Sequence, residues 1–235
     1  MENKVVLLDY MGSDNSHALS AWASTFLDLG IEPPKDHKMR VDHIVEHILS
    51  NSKRLRDVKG LLDYLAREGH ESPFRMSSFM IGMTTEIATH IQKLKHKVLL
   101  EAENGESARY KVLNENKFYL PQDWLEYGDV GKHYYDLLKN MSESSDDMYK
   151  SSHKDLIEAG MPKARAKESA RFFKMYNSQI NTVNKFSFAG IVEFHRKRGV
   201  SDAQKEVRDL SDMMIDVVRN IEGNPFKYSL EVYGF

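Results

Sequence analysis

Residues 90 to 110, HIQKLKHKVLLEAENGESARY, gather Gln92, the cationic or imidazole run Lys93, Lys95, His96 and Lys97, and then Asn104, Ser107 and Arg109. An amide, a hydroxyl and a guanidinium this close in the chain suit a phosphate or the edge of a pyrimidine. Two readings stand side by side: a solvated basic surface, the ordinary fate of a charge run, and an anion site. A second pattern, His43-Ile44-Val45-Glu46-His47, fits H-x-x-E-H, in which paired histidines hold zinc and the glutamate acts as base. No distant carboxylate is marked as a third ligand, and an amphipathic helix with solvated histidines fits equally well. A zinc hydrolase on His43, Glu46 and His47 is therefore a minor alternative.

The elements that must position these groups follow from patterning. Val5 to Leu8 (VVLL) is a short buried-strand candidate, followed by turn residues in MGSDNS. A helical region runs from about Val41 to Arg67, broken near Asn51 and Gly60 and ended by Gly69 to Pro73. Met76 to Met83 is a strand candidate. From Thr84, the residues Ile87, Ile91, Leu94 and Val98 recur at helical spacing, which predicts one buried apolar stripe and puts Gln92, Lys95 and His96 on another, polar face. Gly131 to Met141, Lys154 to Gly160 and Pro162 to Phe173 are further helix candidates, and SESSDDMYKSS (Ser142 to Ser152) reads as an exposed loop or capped helix start. Ser201 and Gln204 form a capping-box pattern before the stripe Val207, Leu210, Met214, Val217 and Ile221, with Gly223 as the stop. Phe226 to Phe235 is strand-like. Mixed elements without βαβ alternation indicate an α+β fold.

Composition narrows the function classes. The 235 residues, 41% of them apolar, suffice for one sizeable core, so a single domain over 1-235 is expected. There is no cysteine, which excludes disulfides, thiolate metal sites and a cysteine nucleophile. A net charge near −2 carries no polyanion signature, so no nucleic-acid partner is expected and a basic cluster is aimed at a small anion. No apolar run approaches membrane-spanning length, and MENKVVLLDYMGSD lacks a cleavable signal pattern. A cytoplasmic protein with no membrane partner is expected.

The spacing of Gln92, Lys95-His96-Lys97 and Asn104-Gly105-Glu106-Ser107-Ala108-Arg109-Tyr110 resembles the signature of flavin-dependent thymidylate synthases, the ThyX family, written R-H-R-x7-S and continuing to R-Y. VVLLDYMGSD, LLDYLAREGHESPF (against the family's H-x-[ST]-P-F), KFYLPQDW, SARFFKMYN and RGVSDAQKEVR resemble further family segments, in family order. The resemblance implies an α+β fold with helices packed on an antiparallel sheet, and a homotetramer whose active sites are shared between subunits. It also implies conversion of dUMP to dTMP, with methylenetetrahydrofolate as one-carbon donor and NADPH as reductant through FAD. The missing cysteine agrees: a flavin route needs no protein nucleophile, and the protein positions and polarises the substrates. No metal is implied.

Carried over by position, the resemblance implies that Gln92, Ser107, Arg109, Arg171 and Arg198 bind dUMP, with Arg109 and Arg198 catalytic. The planar guanidinium binds phosphate or carbonyl oxygens bidentately and stabilises charge as uracil C5 becomes nucleophilic. It places His70, Ser72, Lys95, His96, Lys97 and Asn104 on FAD. Here the match is weaker. Lys95 and Lys97 replace the signature arginines, keeping charge but losing the fork. The spacer from Val98 to Glu106 is longer than the family's, which predicts a bulged or lengthened loop. Arg75 stands in place of the acid of P-F-E, and Trp22 in place of the arginine of an N-terminal A-A-R. Ser187, Ala189, Glu193 and Asp202 stand where the family commonly has Asn, Arg, Asn and His. The alternative is thus a ThyX-like protein that binds a deoxyuridine nucleotide, has altered or lost flavin binding, and makes a different C5 modification.

Overall fold

Lys4–Met11 forms strand β1 in the computed structural model, longer at both ends than the expected Val5 to Leu8. The structure describes residues 1–24, 34–36, 39–51, 56–96, 99–107, 110–111, 113 and 117–235. Gly12 then turns the chain at φ 103, where a Cβ would come within 2.9 Å of Ser77 Cβ, so only glycine fits. Helix α1, Asp14–Ala23, was hidden behind those turn residues: Ser13 caps it, and the Ser13 and Ser16 side chains each take the other's backbone N–H in a capping box. Helices α2 (Arg40–Asn51) and α3 (Val58–Arg67) fill the expected helical region. Gly60 does not break it; it lies in the first turn of α3, where its N–H donates to the Asp57 cap.

Strand β2 (Ser78–Glu86) alternates, burying Phe79, Ile81, Met83 and Thr85. It outlasts the expected helix start at Thr84, because the Thr84 hydroxyl donates to the Asn181 side chain at 2.7 Å and Glu86 becomes the cap of helix α4, Ile87–Leu94. Strand β3 (Leu100–Gly105) follows and takes up most of the Val98 to Glu106 spacer; Val98 lies outside the described residues. Helix α5 (Gly128–Glu158) is continuous through Ser142 to Ser152, which is neither a loop nor a helix start. Tyr149 is fully buried there and Asp146 is paired with Lys150 at 2.7 Å and with Lys174, tertiary anchors that a local reading of a polar run does not reveal. Helix α6 (Lys163–Ala170), strand β4 (Gln179–Phe186), and helices α7 (Phe188–Arg198), α8 (Lys205–Arg219) and α9 (Lys227–Val232) complete the chain.

The sheet is antiparallel in the order β1-β2-β4-β3, giving the mixed helix-and-sheet architecture expected. Two compact units divide the strands. One comprises Val5–Ile81, His96–Ala102 and Asn184–Phe235, the other Met1–Lys4, Gly82–Lys95 and Glu103–Val183. Among the described residues no helix is long and apolar enough to cross a membrane.

In the first unit, α8 buries Val207, Leu210, Met214 and Val218, so Val218 rather than the expected Val217 continues the stripe. The capping box at its start does not form: the Ser201 carbonyl accepts from Arg208, and no side-chain bond caps the helix at Gln204. The strand-like C-terminus is helix α9. Its early N–H groups, Tyr228 and Ser229, donate to the Asp14 carboxylate at 2.7 and 2.9 Å, a cap supplied from the far end of the chain. Asp14 also accepts from the Ser229 hydroxyl, and His17, caged by Phe74, Phe188 and Phe226, bonds Ser229 at 2.8 Å and Ser77 at 2.9 Å. Burial pushes the His17 pKa down to about 3.

Helix α4, in the second unit, does not bury the expected stripe as a whole: Ile87 and Leu94 are half-buried, and Val98 lies outside the described residues. Thr89 and Lys93 are its buried residues, while Ile91 of the apolar stripe is 40% exposed. Lys93 is 0% exposed and tolerates this because Glu103 of β3 lies 2.7 Å from its ammonium and the Thr182 hydroxyl at 3.4 Å. His90, one turn earlier, reaches the other Glu103 oxygen at 3.5 Å.

Candidate active site

In the first unit, helix α7 ends in Arg198, whose Nε donates to His96 Nε2 at 2.7 Å. The bond joins two residues that the sequence had assigned to different ligands. His96 sits in the turn after α4, its carbonyl accepting from Leu99 and Leu100, with its ring edge-on to Phe194 at 5.4 Å. Burial first, then the charges of Arg198 and Lys197, lowers its pKa, so the imidazole is neutral and accepts at Nε2. Using Nε in this way keeps both terminal amino groups of the Arg198 fork for an anion or carbonyl oxygen.

The same unit holds a cleft of about 670 Å³ between α1, α3 and the 3-10 turn Ser72–Arg75. Trp22, Leu61, Leu65 and Pro73 supply apolar wall, and Ser20, Ser24, His70 and Ser72 supply polar groups. His70 and Ser72, expected to act together, are thus brought into one cavity. Trp22 belongs to the core cluster with Ala18, Val45 and Ile48 and presents part of itself to the cleft. The sequence reading missed Arg56, which lines the cleft with its guanidinium 4.0 Å above the Tyr64 ring; its position just before the Asp57 helix cap was the available signal. Apolar wall for a ring system beside hydroxyls and a fixed cation is a lining that fits a flavin nucleotide, in a volume typical of cofactor sites.

Of the other positions that the family commonly fills differently, Asp202 is exposed. Ser187 is the buried cap of α7, Ala189 is buried, Glu193 pairs with Lys197 at 3.0 Å, and Arg75 lies 3.7 Å from Glu71. His43, Glu46 and His47 are all exposed on α2, and no three His, Asp or Glu side chains among the described residues form a group that could hold a metal. The H-x-x-E-H match is the solvated face of an amphipathic helix, and the zinc reading falls with it.

The second unit holds Gln92, half-buried on α4, Lys95, its exposed C-cap, and Asn104, exposed on β3. Ser107 follows β3, its carbonyl accepting from the Tyr110 and Lys111 N–H groups at 3.0 and 3.2 Å. Its neighbour Glu106, not singled out from sequence, ties that segment down: it accepts from the Asn181 backbone and side chain at 3.1 and 3.0 Å and pairs with Lys111 at 2.6 Å. Burial raises the Glu106 pKa, but the bonds from Lys111 and Asn181 outweigh it and hold the carboxyl below its usual range. Arg171 is exposed and opens the 3-10 turn Arg171–Phe173. Phe172 beside it is 80% exposed and Tyr176 70%. Arg109 and Lys97 lie outside the described residues.

Residues 6–222 match the family model of the thymidylate synthase complementing proteins, Thy1. A flavin-dependent thymidylate synthase of Pseudothermotoga lettingae is 30% identical over 220 residues, 92% of this chain and 85% of that one. Another, from Clostridium tetani, is 25% identical, covering 96% and 86% of the two chains. Among solved structures, UMP/dUMP methylase PolB from Streptomyces cacaoi bound with 5-Br UMP matches with a TM-score of 0.73 at 19% identity, covering 99% of this chain and 94% of that one; at that identity the likeness is one of fold. With the family model spanning nearly the whole chain, the protein belongs to the Thy1, or ThyX, family of thymidylate synthase complementing proteins.

Proposed function

We propose that this protein is a flavin-dependent thymidylate synthase, an FAD-dependent methyltransferase that converts dUMP to dTMP with methylenetetrahydrofolate as one-carbon donor and NADPH as reductant. The observation that carries the reading is Arg198, set on His96 of the signature segment with its terminal amino groups kept for an oxygen acceptor. Such a donor at a uracil carbonyl stabilises the negative charge that makes C5 nucleophilic. Gln92, Ser107, Arg109 and Arg171 complete the dUMP contacts, with Arg109 the second catalytic arginine. His70, Ser72, Lys95, His96, Lys97 and Asn104 hold the flavin, and the cleft at His70 and Ser72 is suited to it. Bound FAD would supply the hydride that turns the transferred methylene into a methyl group. The chain's own residues bind, orient and polarise, which is all such a route asks of the protein.

The working form is a cytoplasmic homotetramer of one ThyX-like domain over 1-235. Three exposed surfaces support assembly: Val6, Leu8 and Tyr10 along β1; Val130, Tyr134, Leu137, Met141 and Met148 along α5; and the aromatics beside Arg171. A nucleotide site that collects arginines from neighbouring subunits is incomplete in a monomer.

A second reading, a deoxyuridine nucleotide-binding relative with another C5 chemistry, is favoured by the departures at the flavin-side positions, Lys95 and Lys97 in place of the signature arginines first among them. An absorption spectrum of the purified protein, titrated with FAD and then dUMP, separates the two. A flavin band that shifts on adding dUMP, followed by dTMP formation with methylenetetrahydrofolate and NADPH, is expected. dUMP binding with no flavin uptake would overturn the synthase reading.

A further inference from the structure

Among the described residues lining the cleft, Arg56 is the cation of fixed charge and none is a carboxylate. Its contact among the described residues is the Tyr64 ring, whose centroid lies 4.0 Å from the guanidinium carbon. A long, exposed side chain held over an aromatic face loses little further freedom on binding, and a ring contact uses none of the five N–H donors of the guanidinium. The hydroxyls of Ser20, Ser24 and Ser72 line the same cavity and can serve as further donors. The apolar wall of Trp22, Leu61, Leu65 and Pro73 suits a flat ring system, which by itself would not call for a guanidinium beside it.

We propose that Arg56, laid over Tyr64, is the phosphate subsite of this cleft, taking the diphosphate of a nucleotide cofactor whose ring system lies against the apolar wall. The proposal rests on the flavin reading above, for which the group is the diphosphate of FAD. Neither Arg56 nor Tyr64 is among the residues that the family signature assigns to the flavin, so this subsite belongs to this chain's own solution.

The test titrates the full-length protein with FAD, ADP and riboflavin by calorimetry and flavin fluorescence, with thermal melting as a folding control. Arg56→Ala is expected to weaken FAD and ADP by about tenfold or more while leaving riboflavin unchanged, with Arg56→Lys recovering part of the loss. Tyr64→Leu, which keeps the charge but removes its platform, is expected to weaken FAD by a smaller factor, and reads the subsite independently should Arg56→Ala fail to fold. Wild-type affinity for FAD in a folded Arg56→Ala variant overturns the proposal, as does a parallel loss of riboflavin, which would make Arg56 a wall of the ring pocket. If the wild type takes up ADP in an Arg56-dependent way but no FAD, the flavin reading fails and the phosphate subsite stands. If it binds neither, the subsite itself is overturned.

Discussion

The two units bury polar groups in opposite ways. In one, the centre is His17, a neutral imidazole with both ring nitrogens bonded to serines and three phenyl rings around it. The other centres on Lys93, a buried ammonium answered by Glu103 and flanked by His90. The neutral centre joins α1, which helps wall the cleft, to Ser77 just ahead of β2 and to α9; the charged centre joins α4 to β3 and β4, next to Gln92, Asn104 and the segment carrying Ser107. The difference teaches that removing a partner from the neutral network strands an unsatisfied dipole, whereas removing either partner of the ion pair strands a buried charge, the costlier loss.

Breaking the charged centre should therefore have the largest effect. Glu103→Leu, which strands the Lys93 ammonium, is expected to cost about 3–5 kcal/mol in urea unfolding, and adding Lys93→Met should restore most of it. A double variant as unstable as the single one would show that shape, not charge, sets the cost. His17→Ala comes next, at about 2–4 kcal/mol, for the cavity among the phenyl rings and the two serine bonds.

A pH titration sharpens the contrast. His17 is held near 3 in the folded protein against about 6.5 unfolded, so below pH 6.5 the unfolded chain binds the extra proton. Stability is then fully present above 6.5 and falls with pH by up to about 1.4 kcal/mol per unit until the folded pKa is reached. His90 and His96, both also lowered, act in the same direction. His17→Asn should remove its share of the slope between pH 6.5 and 5; an unchanged slope would mean that the neutral centre does not govern the acid response.

The smallest expected effect lies outside both centres. His96→Ala removes the acceptor that orients Arg198 and should weaken dUMP binding by about 0.5–1.5 kcal/mol while leaving unfolding nearly unchanged. A stability loss as large as that of His17→Ala would recast His96 as structural.

How far the sequence reached depended on whether the signal was local. β1, α2, α3 and the core of α8 were legible because apolar period, caps and stop residues lie within each segment. Helix α1 carried its own capping box, yet the turn residues beside it dominated the reading. Helix α7 and strand β4 were not anticipated at all. At the site, His70, Ser72, His96 and Arg198 were legible through the family pattern. Arg56, Tyr64 and the Glu106–Asn181 contacts were not: the helix cap after Arg56 marks where α3 starts but not the ring it meets, and nothing near Glu106 marks Asn181.

By itself the sequence determined the family, the absence of cysteine chemistry and the residue types of the signature segment, because these are properties of identity and spacing. The tertiary structure alone decided which face of α4 is buried, since a lysine can face inward only where a distant carboxylate meets it. It also decided that the last residues form a helix, because the carboxylate that satisfies their first N–H groups is Asp14, at the opposite end of the chain. In both cases the compensating charge or acceptor lies beyond the reach of any local pattern, and a buried polar group takes the conformation that its partner permits.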